Sequence, residues 1–162
     1  VETLTTDKAV KLFEKFGIFT KAELESREEV LYEIYAKTIN IEALTMIDMA
    51  SKEIIPAVIK YSKSLADSVL AVKEAGADAE VQTELLKEVS AKLTEMKTAL
   101  AKLEELEAKA AAMQNAKDQA FYYNDVLKAA MDALRKPADE LEMIVDKKVW
   151  PFPTYADLMF EV

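Results

Sequence analysis

Residues 78–112 read DAEVQTELLKEVSAKLTEMKTALAKLEELEAKAAA. Leu86, Leu93 and Leu100 recur at a spacing of seven, and Val89, Met96, Leu103 and Ala110 recur at the same spacing three residues further on. Apolar residues alternating at three and four form one narrow stripe on an α-helix, the seam of a coiled coil. Asp78 is placed to cap this helix, which the pattern predicts from about Ala79 to Ala112. Gly76 lies just upstream, in a turn over Ala75–Ala79. So short a connection predicts antiparallel packing on the preceding helix.

Upstream, Gly and Pro supply the punctuation. A short helix is expected from about Thr6 to Phe16, with Thr5 or Thr6 as its cap and Gly17 as its stop. A second helix opens at Thr20, which forms a T-x-x-E capping box with Glu23. No break follows until Gly76 except at Pro56. That proline lacks a backbone donor and crowds the preceding turn, so a kink or break is expected between Ser51 and Ile55. Ile41, Leu44, Ile55, Val58, Leu65, Val69 and Val72 follow the three-four alternation, and Ile47, Ile54 and Tyr61 add a flanking stripe. The apolar arc is wide, so this helix is expected to be covered from more than one side.

Downstream, the Ala- and polar-rich run from Lys109 to Gln119 leaves open whether the helix continues or turns. A helix over 118–135 follows, with Tyr123, Leu127, Ala130 and Leu134 on one face. Pro137 is read as the start of a short helix over 137–146, since the first helical turn needs no amide there. The tail, 147–162, contains Trp150-Pro151-Phe152-Pro153-Thr154-Tyr155, where two prolines among aromatics predict an extended, docked segment. The expected fold is all-α: a single domain over 1–162, built as an antiparallel helical bundle. A long helix pair over about 20–112 makes a coiled-coil hairpin, and an extended Pro/aromatic C-terminal tail ends the chain.

Composition narrows the function. The 162 residues carry 21 Lys and Arg against 30 Asp and Glu, a net charge of -9 with no basic cluster. Nucleic acid and anionic membrane surfaces are therefore not expected partners. The chain has no His and no Cys. Thiol or Ser-His nucleophiles and the usual zinc sites are excluded with them. Two glycines, Gly17 and Gly76, cannot build a phosphate-cradling loop. No apolar run approaches the ~18 residues of a membrane span.

The candidate sites are accordingly few. Glu104, Glu105 and Glu107 are clustered acids, read as a solvated helix face rather than a metal patch. Asp48 falls in the predicted apolar seam, with Asn40 and Ser51 on the same arc. It is read either as part of a buried polar network or as a local hydrogen-bonding residue that fixes register. Tyr122 and Tyr123, without a basic patch, are read as packing residues. No catalytic, cofactor-binding or metal-binding residue is assigned. The candidate interface residues are Leu86, Leu93 and Leu100 on the seam, and Trp150, Phe152 and Tyr155 in the tail.

Several longer strings carry a resemblance. They are Val10 to Arg27 (VKLFEKFGIFTKAELESR), Lys37 to Ala50 (KTINIEALTMIDMA), Glu53 to Lys63 (EIIPAVIKYSK), Asp139 to Asp146 (DELEMIVD) and Trp150 to Leu158 (WPFPTYADL). In sequence and order these resemble the C-terminal region of type III glutamine synthetases, the large bacterial form. Ala156 stands where that family's closing motif leads one to expect Gly. Residues 78–118 carry little of the resemblance and look like a lineage-variable hairpin.

The resemblance implies a cytoplasmic, ring-forming parent enzyme that ligates ammonia to glutamate with ATP and Mg or Mn. Its active site would lie in a preceding catalytic domain, with no matching residues here. The implied role is a non-catalytic helical domain whose partners are the enzyme's own catalytic domain and sister subunits. The alternative is a free-standing helical adaptor or dimerisation module acting through the Leu86-Leu93-Leu100 seam. A domain cut from a larger enzyme should expose an apolar patch. Ile39, Met46, Trp150, Phe152 and Tyr155 are the residues expected to form it.

Overall fold

In the computed structural model, residues 1–160 are described, the side chains of Tyr155 and Ala156 excepted. Among these residues the fold is all-α, without strands. The helices are α1 (Asp7–Lys15), α2 (Lys21–Met49), α3 (Ile55–Glu74), α4 (Glu80–Ala111), α5 (Ala116–Tyr122), α6 (Lys128–Glu142) and α7 (Tyr155–Phe160). Single π-helical turns, Ala50–Ile54 and Tyr123–Leu127, join α2 to α3 and α5 to α6. The residues group into two units, 1–44 with 106–128, and 45–105 with 129–162.

In the first unit, the Thr6 hydroxyl oxygen caps α1 by accepting from the Ala9 amide. Gly17 ends it at φ 62°. The predicted capping box opens α2: the Thr20 amide donates to Glu23 Oε2 at 2.7 Å, and the Glu23 amide to Thr20 Oγ1 at 3.3 Å. The Thr20 amide, with the Thr20 hydroxyl that also donates to Oε2 at 2.9 Å, holds the Glu23 carboxyl below its ordinary pKa. Phe19 packs against Phe13 at 5.7 Å between ring centroids and lies under the Arg27 guanidinium at 4.2 Å. The segment left open by the sequence is a turn. Asn115 caps α5 by accepting from the Asp118 amide at 3.0 Å, and Gln119 Nε2 donates to the Ala110 carbonyl at 3.0 Å. The second bond adds a side-chain donor to a carbonyl at the end of α4 that also accepts from the Met113 amide at 3.1 Å. Tyr32 meets Phe121, and the Tyr35 hydroxyl donates to Asn124 Oδ1 at 2.9 Å.

In the second unit, Pro56 neither breaks nor ends the helix. The Ile55 amide reaches back five residues to the Ala50 carbonyl. Widening this turn accommodates a proline that has no amide and whose ring would crowd the carbonyl four residues back. The disturbance falls where it was expected, between Ser51 and Ile55, but as an inserted residue rather than a break. Gly76 adopts φ 77° after α3, and the Ala77 amide donates to the Val72 carbonyl at 3.1 Å. Only five residues, 75–79, separate α3 from α4, a connection of the length that joins antiparallel neighbours. On α4, Val89, Met96, Leu100 and Leu103 are fully buried. The heptad row therefore becomes core.

Pro137 corrects a second expectation. It sits inside α6, fully buried, rather than starting a helix of its own. Leu134, Pro137 and Leu141 form one buried stripe, and their packing outweighs the missing amide bond. The Lys92 ammonium pairs with Glu140, linking α4 to α6.

The tail is irregular only through Thr154, then forms α7. Thr154 and Asp157 repeat the reciprocal cap seen at Thr20. The Thr154 amide donates to Asp157 Oδ2 at 2.9 Å, and the Asp157 amide to Thr154 Oγ1 at 3.3 Å. Lys147 also bonds Asp157. The Lys147 ammonium and the two Thr154 donors push the Asp157 carboxyl down to about 2.

Three outcomes are expected. Gly76→Ala should lower stability by roughly 1 kcal/mol in urea titration, because its new Cβ meets nothing within 4 Å and only the left-handed backbone is penalised. Leu103→Ala, at a fully buried site, should lower stability by about 2–5 kcal/mol. Because the folded carboxyl of Asp157 titrates below its unfolded value of about 4, its stabilisation is present above that value and lost as pH falls toward 2. The emission of Trp150, the sole tryptophan, should therefore shift red between pH 4 and 2, and Asp157→Asn should abolish that step.

Candidate functional site

The sequence-predicted candidates are placed as follows. Leu100 is 0% exposed, and Leu86 and Leu93 are half-buried. Trp150 is 8% exposed and Phe152 half-buried, while the Tyr155 side chain lies outside the described residues. Ile39 is buried and Met46 half-buried, so the apolar patch expected at these residues is not there. Trp150, Phe152 and Met46 instead line an apolar cavity of about 440 Å³ within the second unit. Its wall includes Met49, Ile54 and Met96, and Arg135 at its edge bonds Asp139 at 3.3 Å. Its charged lining residues are Arg135, Asp139 and Glu142, so it offers no set of converging donors for a phosphate.

Asp48 is exposed and paired with Lys52, and Ser51 Oγ donates to its carbonyl at 3.3 Å. The buried-network reading is thus overturned in favour of local hydrogen bonding. Asn40 is half-buried, and its Oδ1 is enclosed without a hydrogen-bond partner. Tyr123 is buried, and burial raises its hydroxyl pKa. Among the described residues, no group of three or more His, Cys, Asp or Glu could hold a metal ion. Glu105 is ion-paired with Lys102 at 3.1 Å. No helix among them is long and apolar enough to cross a membrane.

The wide apolar arc expected along the second helix resolves into two faces on α2, in the first unit. Its buried face is Tyr32, Ala36, Ile39 and Ala43. At about 100° per residue, these four fall within roughly 60° of arc. Val30, Ile34, Ile41 and Leu44 fall within roughly 80° on the nearly opposite side. They are exposed, Ile34 at 56% and Ile41 at 65%, and Leu31 adjoins them. Of the wide apolar arc read from the sequence, Ile41 and Leu44 therefore lie on the exposed side. Lys37 lies within the outward stripe, with its charge matched by Glu33 at 2.7 Å. An apolar face of this extent, edged by a neutralised pair, is suited to covering by another protein surface. Its signal was present in the sequence: α2 carries apolar residues on two faces, and a helix apolar on both sides is covered on both.

The comparisons with known proteins agree with this picture of a part. Residues 1–73 match the family model described as the glutamine synthetase C-terminal domain. A glutamine synthetase from Butyrivibrio fibrisolvens is 38% identical over 159 residues, 97% of this chain and 23% of that protein. One from Bacteroides fragilis is 30% identical over 88% of this chain and 20% of its own length. A type-3 glutamine synthetase from Dictyostelium discoideum is 32% identical over 97% of this chain and 22% of its own length. The chain thus spans about a fifth of the length of these curated relatives, and it belongs to the C-terminal domain family of the glutamine synthetases.

Proposed function

We propose that this chain is a non-catalytic helical part of a cytoplasmic glutamine synthetase, an enzyme that ligates ammonia to glutamate at the expense of ATP. Its role is structural: it contacts the catalytic portion of the enzyme and sister subunits of a homo-oligomer. The observation that carries this reading is the alignment of nearly the whole chain with glutamine synthetases over only about a fifth of their length.

The residues present do not fit ATP or its divalent metal. There is no His, only two Gly, and no converging group of acids among the described residues. No catalytic step is therefore assigned to this chain. Of the Leu86-Leu93-Leu100 seam, Leu100 is fully buried, which argues against an adaptor that offers it to a partner, while Leu86 and Leu93 are half-buried.

The test is a parallel assay of the intact enzyme and of residues 1–162 alone, following glutamate- and ammonia-dependent release of phosphate from ATP. Release is expected from the intact enzyme only. Release by residues 1–162 alone would refute the non-catalytic reading. Sedimentation of the intact enzyme before and after removal of residues 1–162 tests the contact role, which predicts a changed assembly. Unchanged assembly and activity would sink it.

A further inference from the structure

We propose that the outward face of α2, formed by Val30, Leu31, Ile34, Ile41 and Leu44, is the seat of the remaining portion of the same glutamine synthetase chain. This rests on the reading of the chain as part of a glutamine synthetase.

Three observations select that occupant. The first is the form of the surface. Four of the five residues lie in one narrow arc, and they extend over four helical turns of an element whose other side is already buried. Scattered exposed apolar residues need no explanation, but a continuous stripe of this length does. The second is the amount of chain outside the matched part: about four-fifths of each relative, with 23% or less matched. The third is connectivity. A C-terminal domain is preceded by the rest of its chain, which therefore adjoins the N-terminal side of the matched residues. Residue 1 belongs to the same unit as the face. Leu12, Phe16 and Ile18, which follow closely on residue 1, are also exposed apolar residues of this unit. A covalently attached surface meets the stripe at high effective concentration, whereas a second copy must be recruited from solution.

Charge is consistent with this occupant. Glu33 neutralises Lys37 across the stripe, so the face can be desolvated without stranding a charge. No converging polar groups call for a particular small ligand.

The experiment places a photo-crosslinking residue, p-benzoylphenylalanine, at position 34 of the full-length enzyme, with a control at exposed Val81 in the other unit. Enzyme grown on ¹⁴N and on ¹⁵N is mixed, reassembled and irradiated, and cross-linked peptides are identified by mass. The expected result is cross-linking from position 34 to peptides that precede residue 1, with both peptides carrying the same isotope, and none of these from position 81. Links to residues 1–162 of the other isotope would assign the face to a second copy and overturn the proposal. Links to preceding residues of the other isotope would assign it to a neighbouring subunit's catalytic portion and overturn the same-chain assignment. Absence of links from position 34 would also overturn it. Glutamine formation by the unsubstituted enzyme is measured alongside. An inactive enzyme counts against the glutamine synthetase reading whatever the links, whereas an active enzyme with links elsewhere counts only against the docking face.

Discussion

The burial of Tyr32, Ala36, Ile39 and Ala43 along α2, rather than of Ile34, Ile41 and Leu44, sets the arrangement on which much of the structure depends. Ala36, Ala43, Ala50 and Ala57 recur every seven residues, and all four are buried. Alanine presents little side chain, so neighbouring helices can approach closely along such a row. That choice turns Ile34, Ile41 and Leu44 toward solvent. The larger side chains would gain more from burial individually, roughly 1.5–3 kcal/mol each when fully buried. Their exposure in this chain is explained if another surface covers them.

The two π-helical turns adjust the register of the helices they join. The first absorbs Pro56 by inserting one residue, so Ile54, Ala57 and Val58 remain inward after the disturbance. The second, at Tyr123–Leu127, keeps Tyr123 and Leu127 buried. Pro137, by contrast, is carried inside an ordinary helix and buried between Leu134 and Leu141. The difference lies in the surroundings. Pro56 is itself exposed and is accommodated by the backbone, whereas Pro137 contributes its ring to the core.

The tail joins local chemistry to tertiary packing. Two of its aromatics, Trp150 and Phe152, read from sequence as docking on the chain's own fold or on a sister subunit, line a cavity of the second unit, with Trp150 buried there. Asp157 serves both as the N-terminal acid of a capped short helix and as the partner of Lys147. Exposed apolar surface of the kind expected of a piece of a larger enzyme lies on α2, while in the tail Trp150 is buried, Phe152 is half-buried, and Leu158, Met159 and Phe160 of α7 are exposed. For the proposed role this distinction matters: a docked tail completes the domain's own packing, while the α2 face remains available to the rest of the enzyme.

The sequence by itself determined the features that depend on neighbours along the chain. The Thr20–Glu23 box, the left-handed stops at Gly17 and Gly76, and the inward row Val89, Met96 and Leu103 were all legible, because caps, turns and heptads are written within a few residues. The location of the Pro56 disturbance was legible for the same reason, and so were the unusual strings that mark the family. Tertiary structure alone decided which of two apolar faces of α2 is covered, whether Pro137 ends a helix, and where Trp150 lands. Each turns on what lies across from the residue in space. A periodicity weighted by hydrophobicity ranks isoleucine above alanine, but close helix packing rewards the smaller residue, and that preference is set by the partner surface rather than by the chain's own spacing.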